Sequence, residues 1–323
     1  MKFWLVAAAT WAVVNAVVLI LAPAASPLHW GTDHHVIDGG EQVIAANVVL
    51  AEVLALAAVV HLLTRRRTSP DLAARAPSTP RARAEVLAVL GYGAVLQAGG
   101  WLLGRAMGWH PIGFHLAGSV VGTHDTVTPA EAMTWAVYNV VGYAALPYAW
   151  FRRRYSAEQL CLRSTDRRGD ALVILVVLLL ESAVQLLLLG NAVLGLACRQ
   201  LMLGLPLTFV LYLLGTVLPT TIFVQAILVP RYRALTGSSA ATIVLGGLTY
   251  AALHVLDAWT LFGSPREAVL SVLVVTMLYA VPGGFKTFLT VRTGNAWVHA
   301  WAYHAVAPHL LQDAPLIVRI FRL

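Results

Sequence analysis

Val43-Ile44-Ala45-Ala46-Asn47-Val48-Val49-Leu50-Ala51-Glu52-Val53-Leu54-Ala55-Leu56-Ala57-Ala58-Val59-Val60-His61-Leu62-Leu63, followed at once by Thr64-Arg65-Arg66-Arg67, decides the fold class. As a helix rising 1.5 Å per residue, the run reaches across the roughly 30 Å hydrocarbon layer of a bilayer. The arginine triplet that ends it is a stop-transfer signal. Runs of the same kind recur at 3–25, 85–107, 132–151, 171–194, 203–229, 240–262, 268–290 and 294–312. The expectation is an all-α fold, a polytopic transmembrane helical bundle of about nine spans. The 3–25 run is too long for a typical signal-peptide core and reads as a retained first helix. The eighth span contains Pro282-Gly283-Gly284 and is expected as a broken helix.

Composition agrees. The 323 residues are 59% apolar and only 11% charged, whereas a soluble domain carries about 25% charged residues. The short alternating segments of a β-barrel are absent. The net charge of +7 is almost wholly loop arginine, which points to orientation and anionic lipid rather than nucleic acid. Arg65–Arg67, Arg75, Arg81 and Arg83 follow the second span, Arg152–Arg154, Arg163, Arg167 and Arg168 the fourth, Arg231 and Arg233 the sixth, Lys286 and Arg292 the eighth. Every second loop is thus basic, which places those loops and the N-terminus in the cytosol. Trp30, Trp109, Trp135 and Trp259 then fall near outer span ends, Trp4, Trp150 and Trp297 near inner ones, as an interfacial belt would. Cys161 falls in a cytosolic loop and Cys198 near the opposite face, so they form no disulfide or metal framework.

The chain divides into a two-helix unit (1–63), an Arg/Pro-rich cytosolic linker (64–84) expected to be flexible, a third span with its outer loop (85–131), a membrane core (132–312) and a short tail (313–323). One continuous bundle reads equally well. Gly91, Gly93, Gly99 and Gly100 are small residues that let helices approach closely.

Ionisable groups inside apolar spans are expensive and mark function. Glu52, Glu181, His254 and His304 are such groups, and Thr220, Thr221 and Gln225 lie in the sixth span. Helical rise puts Glu52, Glu181, Thr221, His254 and His304 about 12–21 Å from the inner face, one layer near the midplane. Tyr250 and His254 share a helix face four residues apart, and His304 and Pro308 have the same spacing. For the two histidines the plainer reading is a helix–helix hydrogen bond, for Glu52 and Glu181 a protonated carboxyl bonded to a neighbouring carbonyl, and for the threonines a bond to their own backbone. The outer loops hold His29, Asp33, His34, His35, Asp38, His110, His115, His124 and Asp125, read as a wet, pH-sensitive surface on which zinc binding is conceivable.

Tyr250-Ala251-Ala252-Leu253-His254, then Arg292-Thr293-Gly294-Asn295 leading to His304, then Thr220-Thr221-Ile222-Phe223-Val224-Gln225 running into Leu228-Val229-Pro230-Arg231, occupy three separate spans. In type and order these resemble the motifs of the CPBP (CAAX protease and bacteriocin-processing, or Abi) family of intramembrane endopeptidases, over roughly residues 135–312. The family pairs two glutamates and an arginine with Phe-x-x-x-His and His-x-x-x-Asn/Asp. Here the glutamates are Thr220 and Thr221, the arginine is Gln225, the phenylalanine is Tyr250 and the last polar residue is Pro308. The resemblance implies peptide hydrolysis within a bacterial plasma membrane, on a peptide or lipidated-protein substrate, with membrane lipid as the other partner. Its water-activating glutamate is missing, and threonine is no base near neutral pH.

Three outcomes follow. The protein is a pseudoenzyme with impaired or lost protease activity, or an active peptidase with Glu181 as displaced base and His309 in place of Pro308, or a transporter or lipid-handling protein. No cofactor is expected. His254 and His304 are one short of the three protein ligands of a catalytic zinc, even though Glu181 offers itself as a third, and no His-Glu-x-x-His pattern occurs.

Overall fold

The computed structural model describes residues 2–22, 38–119, 126–189 and 192–323, and no strand occurs among them. Trp30, the outer-loop groups His29, Asp33, His34, His35, His124 and Asp125, and the end of the first expected span lie outside the described residues. Among the described residues, apart from a 3-10 turn at Ala192–Gly195, the helical segments join into nine continuous runs: α1 (Lys2–Leu21), α2 (Gly39–Thr64), α3 (Thr79–Met107), α4 (129–152), α5 (167–189), α6 (Cys198–Thr236), α7 (Ser239–Ala252), α8 (Pro265–Thr293) and α9 (296–321). Among them α1, α2, α3, α5, α6 and α8 are six helices long and apolar enough to cross a membrane, the mark of a membrane protein.

Local sequence sets the boundaries. Asp38 and Glu41 close a capping box on α2, as do Thr128 and Glu131 on α4. Asp166, Ser238 and Ser264 each accept a backbone N–H at the starts of α5, α7 and α8. Gly237 and Gly294 end α6 and α8 in the left-handed region, at φ 63° and 66°.

The core is α6. From Pro219 to Tyr232 every residue is buried, the all-round burial of a central helix. Around it pack α4, α7, α8 and α9, with α2 and α5 against α8 and α9. The tightest pair is α7 with α8, where Gly247 lies against the Ala280 carbonyl and Gly283 against Tyr250. Pro282 does not break α8, which runs unbroken through it.

Several helices widen into π-helical stretches: 140–145 in α4, 185–189 in α5, 213–217 and 220–228 in α6, and 300–311 in α9. Pro147, Pro219, Pro230 and Pro308 each stand four residues beyond a carbonyl inside such a stretch, at Tyr143, Gly215, Ala226 and His304. A proline supplies no N–H to that carbonyl and its ring pushes the carbonyl aside, which admits a residue to the turn. Pro206 and Pro282 sit in ordinary α-helix, so proline permits the wider turn without dictating it.

Several sequence expectations are corrected. The seventh run stops at Ala252, too short to cross alone, and residues 253–264 continue as turns. Residues 313–321 are not a tail but the last turns of α9, with Asp313 and Ile317 buried. Trp135 and Trp259 are core residues, 1% and 0% exposed, whereas Trp4 and Trp150 do face outward. Lys286 is 3% exposed within α8 and is no loop charge. Gly91 has open space around it, whereas Gly93 lies against Phe223 of α6, and Gly99 and Gly100 against Tyr138 of α4, Gly100 also facing the Ile112 carbonyl.

The 64–84 segment is tied down rather than free. Leu72 is buried, Arg67 bonds Asp170 at 2.7 Å, and Arg75 donates to the Gly294 carbonyl at 2.7 Å. Arg292 reaches the Thr64 carbonyl at 2.9 Å, and Asn295 donates to Asp170 at 2.8 Å. Arg231 pairs with Glu85 at 2.7 Å and lies over the rings of Phe151 and Tyr155. These bonds gather the basic loops at one end of the bundle.

Cys161 sits inside this end, fully buried, and burial pushes its thiol above the usual range, so less thiolate forms at a given pH. Cys198 is exposed. Maleimide at pH 8 is expected to label one thiol of the folded protein, Cys198, and the second only after unfolding; the Cys198→Ser variant labelling rapidly while folded would contradict this packing.

Candidate functional site

Two irregular segments, 108–119 after α3 and 253–264 after α7, fold into one another within the bundle. Irregular backbone at membrane depth is tolerated only where protein surrounds it. Asp257, 1% exposed, joins them. Its Oδ1 accepts the backbone N–H groups of Phe114 (2.6 Å) and His115 (3.2 Å), and its Oδ2 lies 2.7 Å from His254 Nδ1. Gly113 makes the approach possible, because a Cβ there would collide with the Asp257 carboxylate. Gly104 and Gly100 let the loop double back along α3, accepting from Trp109 (2.9 Å) and Ile112 (3.2 Å).

The loop thereby delivers His115 to the interior. Its Nδ1 lies 3.1 Å from the Tyr279 hydroxyl, and its ring centre is 4.4 Å from that of His254 and 5.2 Å from that of His309. His254 stacks on Tyr279 at 3.8 Å. The outer-loop reading of His115 as a wet surface group is overturned. His110 is no free surface group either, since its Nδ1 is 2.7 Å from the buried Glu131 carboxylate.

From the other side come the histidines of α9. The π-helical stretch 300–311 turns less per residue than an α-helix, which brings positions five apart closer to one face, and His299, just before it, His304 and His309 follow one another. Their ring centres are 5.7 Å and 5.0 Å apart, and all three are buried. The residue that continues the line from His304 is therefore His309, not Pro308. His309 Nδ1 is held by Asp313 Oδ2 at 2.9 Å, and its ring stacks on Tyr212 at 4.7 Å.

The remaining motif positions close the chamber. Tyr250 reaches His304 Nε2 through its hydroxyl at 3.3 Å, and Lys286 Nζ lies 3.7 Å over its ring. Thr221 donates to the Val217 carbonyl at 2.7 Å and touches His299 Nε2 at 3.2 Å, so the plain backbone reading holds for it. Thr220 Oγ1 is buried without such a bond. Gln225 donates to Thr287 at 3.3 Å. The two expected histidines, His254 and His304, thus face one interior and meet through Tyr250, to whose ring both lie close, at 4.7 Å and 5.9 Å.

Glu181 accepts from Gln185 at 2.9 Å and neighbours Glu52, Lys286 and Tyr303. The carboxylates that touch the histidines are Asp257 and Asp313, three and four residues along the chain from their partners. Sequence reading missed both, and His115, His299 and Lys286 with them. The His254-x-x-Asp257 spacing and the five-residue repeat His299, His304, His309 were visible signals. Nothing in the sequence marked His115 as interior.

Chemically, the chamber is a set of imidazoles fixed by one nitrogen each. His115 Nε2, His254 Nε2 and His309 Nε2, together with His299 Nδ1 and His304 Nδ1, are buried without a hydrogen-bond partner. One ligand atom each of His115, His254 and Asp257 lies within 4.8 Å of the others, close enough for a shared ion. Phe114, Tyr143, Tyr279 and Trp259 wall the group with aromatic surface. Buried polar nitrogens left unpaired each cost about 1–3 kcal/mol, so such a concentration is kept for a purpose.

Comparison with protein-family models, curated proteins and solved structures finds no match for this chain. The likeness to CPBP endopeptidases therefore rests on the motif positions themselves.

Asp257→Ala orphans two backbone N–H groups and one imidazole, a loss of about 3 kcal/mol or more. It is expected to lower the thermal unfolding midpoint in detergent sharply, with Asp257→Asn recovering part because its carbonyl still accepts from Phe114 and His115. An Ala variant as stable as the parent would contradict the arrangement.

Proposed function

We propose that this is a nine-span integral membrane protein, N-terminus in the cytosol, that hydrolyses peptide bonds of membrane-anchored or lipidated polypeptides in its histidine chamber. On this reading it is a CPBP-type intramembrane hydrolase in which histidine–aspartate pairs have taken over from the missing glutamates. The observation that carries the proposal is the His254–Asp257 pair: a fully buried imidazole whose Nδ1 is fixed by a carboxylate at 2.7 Å and whose Nε2 is unpartnered. A carboxylate so placed fixes the ring's tautomer and leaves the far nitrogen to act on water. Tyr250 and Lys286 supply donors nearby for developing negative charge.

Asp257 takes the place given to Glu181 as displaced base, since Asp257 bonds His254 directly whereas the hydrogen bond of Glu181 is to Gln185. The paired carboxylates Glu52 and Glu181 favour a second reading, proton-coupled transport, because neighbouring acids inside a bundle are the usual proton relay. The two readings predict different variants to fail.

The test is cleavage of a panel of fluorogenic prenylated and transmembrane peptides in proteoliposomes. Wild-type protein is expected to cleave at least one, with His254→Ala and His304→Ala about 100-fold slower or worse and Glu181→Gln within a few-fold. Cleavage that survives His254→Ala, or folded wild type that cleaves none while loss of Glu181 abolishes proton-coupled uptake, would overturn the proposal.

A further inference from the structure

We infer that the basic end of the bundle holds a site for the phosphate of an anionic phospholipid headgroup, in a cavity between α2, the 69–72 segment and the ends of α6, α7 and α8. Arg233 and Arg292 are its phosphate-binding side chains. None of the residues lining this cavity belongs to the histidine chamber, and binding there is read without any substrate.

The cavity has a volume of about 480 Å³, within the range of sites for small ligands. Phe288 and Val291 give it apolar wall, and Arg233, Arg292 and His61 give it cationic or titratable side chains. Asp71 is the single acid lining it among the described residues. That carboxylate is already engaged, since its Oδ1 accepts the backbone N–H groups of Ala73 (3.0 Å) and Ala74 (3.2 Å).

The arginines decide what the cavity takes. Other basic side chains at this end are occupied: Arg67 by Asp170, Arg75 by the Gly294 carbonyl and Arg231 by Glu85. The Arg233 guanidinium has no acid, carbonyl or ring partner among the described residues. Arg292 binds Thr64 through Nε (3.0 Å) and Nη2 (2.9 Å), both to neutral oxygens, so no carboxylate offsets its charge either. Two uncompensated guanidinium groups bordering one cavity call for an anion, and their planar forks match phosphate. Ser239, the first residue of the 14-residue helix α7, lines the same space and sets the positive end of that helix beside it.

The position shows what carries the phosphate. His61 lies in the last turn of α2, and Leu54 and Ala58, seven and three residues earlier on the same helix face, are exposed. In a membrane-spanning helix such a stripe meets hydrocarbon, so an acyl chain can lie along it up to the cavity. Apolar wall on the membrane side and cationic side chains at the basic end suit a phospholipid headgroup, whereas a free phosphate would use the arginines alone.

The test is lipid retention by the full-length protein in detergent, counted by native mass spectrometry after mixing with phosphatidylglycerol or with phosphatidylcholine. About one phosphatidylglycerol per chain is expected to be retained, roughly tenfold more tightly than phosphatidylcholine. Arg233→Gln should weaken it about tenfold, and Arg233→Lys should keep part of the binding. Because Arg233 holds no other group, its variants test the site without disturbing the fold. The Arg65→Gln/Arg66→Gln variant, which removes two exposed arginines outside the cavity, should change retention little. Phosphatidylcholine held as tightly, an unchanged Arg233→Gln variant, or an equal loss in the Arg65→Gln/Arg66→Gln control would overturn the site. Millimolar inorganic phosphate should leave the lipid bound; its displacement of phosphatidylglycerol would assign the arginines to free phosphate and overturn the headgroup reading.

Discussion

One carboxylate organises the interior. Asp257 takes two backbone N–H groups from a loop more than a hundred residues away in sequence and fixes a histidine three residues from itself. In a hydrocarbon-facing protein such an arrangement is forced: once a loop enters the bundle, its N–H groups have no water and must find an acceptor. Asp257 is that acceptor. The same bond that satisfies the backbone of residues 114 and 115 therefore sets where the His115 ring stands and which way the His254 ring turns. Stability and site geometry rest on one side chain, and Gly113 exists to let it come close.

The second organising device is the altered helical register. Proline at 308 removes the N–H that would bond the carbonyl of residue 304, and the last helix runs as a π-helix through its chemical centre. An α-helix would turn successive positions of a five-residue repeat to different faces. The wider turn lines up His299, His304 and His309 against the chamber. A similar proline-associated widening at 213–217 and 220–228 shapes the facing wall of α6, where Thr221 meets His299. π-helical turns gather at functional sites in many proteins, and here they coincide with the buried histidines.

How much of this was legible in sequence depends on the kind of signal. Apolar runs of membrane length gave the helices, including α2, α3 and α8, with small boundary errors. The approach of His254 and His304 to one interior also followed from their placement in apolar runs. Hydropathy failed where apolar chain is not helical: residues 253–262 read as the continuation of a span, although they form turns that cradle the site. It failed again for His115, whose Gly-rich, loop-like surroundings say nothing of whether the loop faces water or the core. Counting by fours led from His304 to Pro308, and the π-helical register made His309 the partner instead. The search for a replacement acid went to Glu181 because depth along a span was the only coordinate at hand, whereas the acids in contact lie three and four residues beyond the histidines themselves.

The result is a membrane protein in which five buried histidines and two aspartates gather beside Thr221 and Tyr250. The central claim is that rings from the 108–119 loop, the turn after α7 and the π-helix of α9 share one buried chamber. A high-resolution cryo-electron microscopy map of the full chain in nanodiscs tests it most directly. The account predicts the His115 ring inside the bundle, about 4.4 Å from His254 and about 5.2 Å from His309, with Asp257 joined to the loop backbone. A map in which the loop lies out at the membrane surface, with His115 facing water and Asp257 bonded elsewhere, would contradict it.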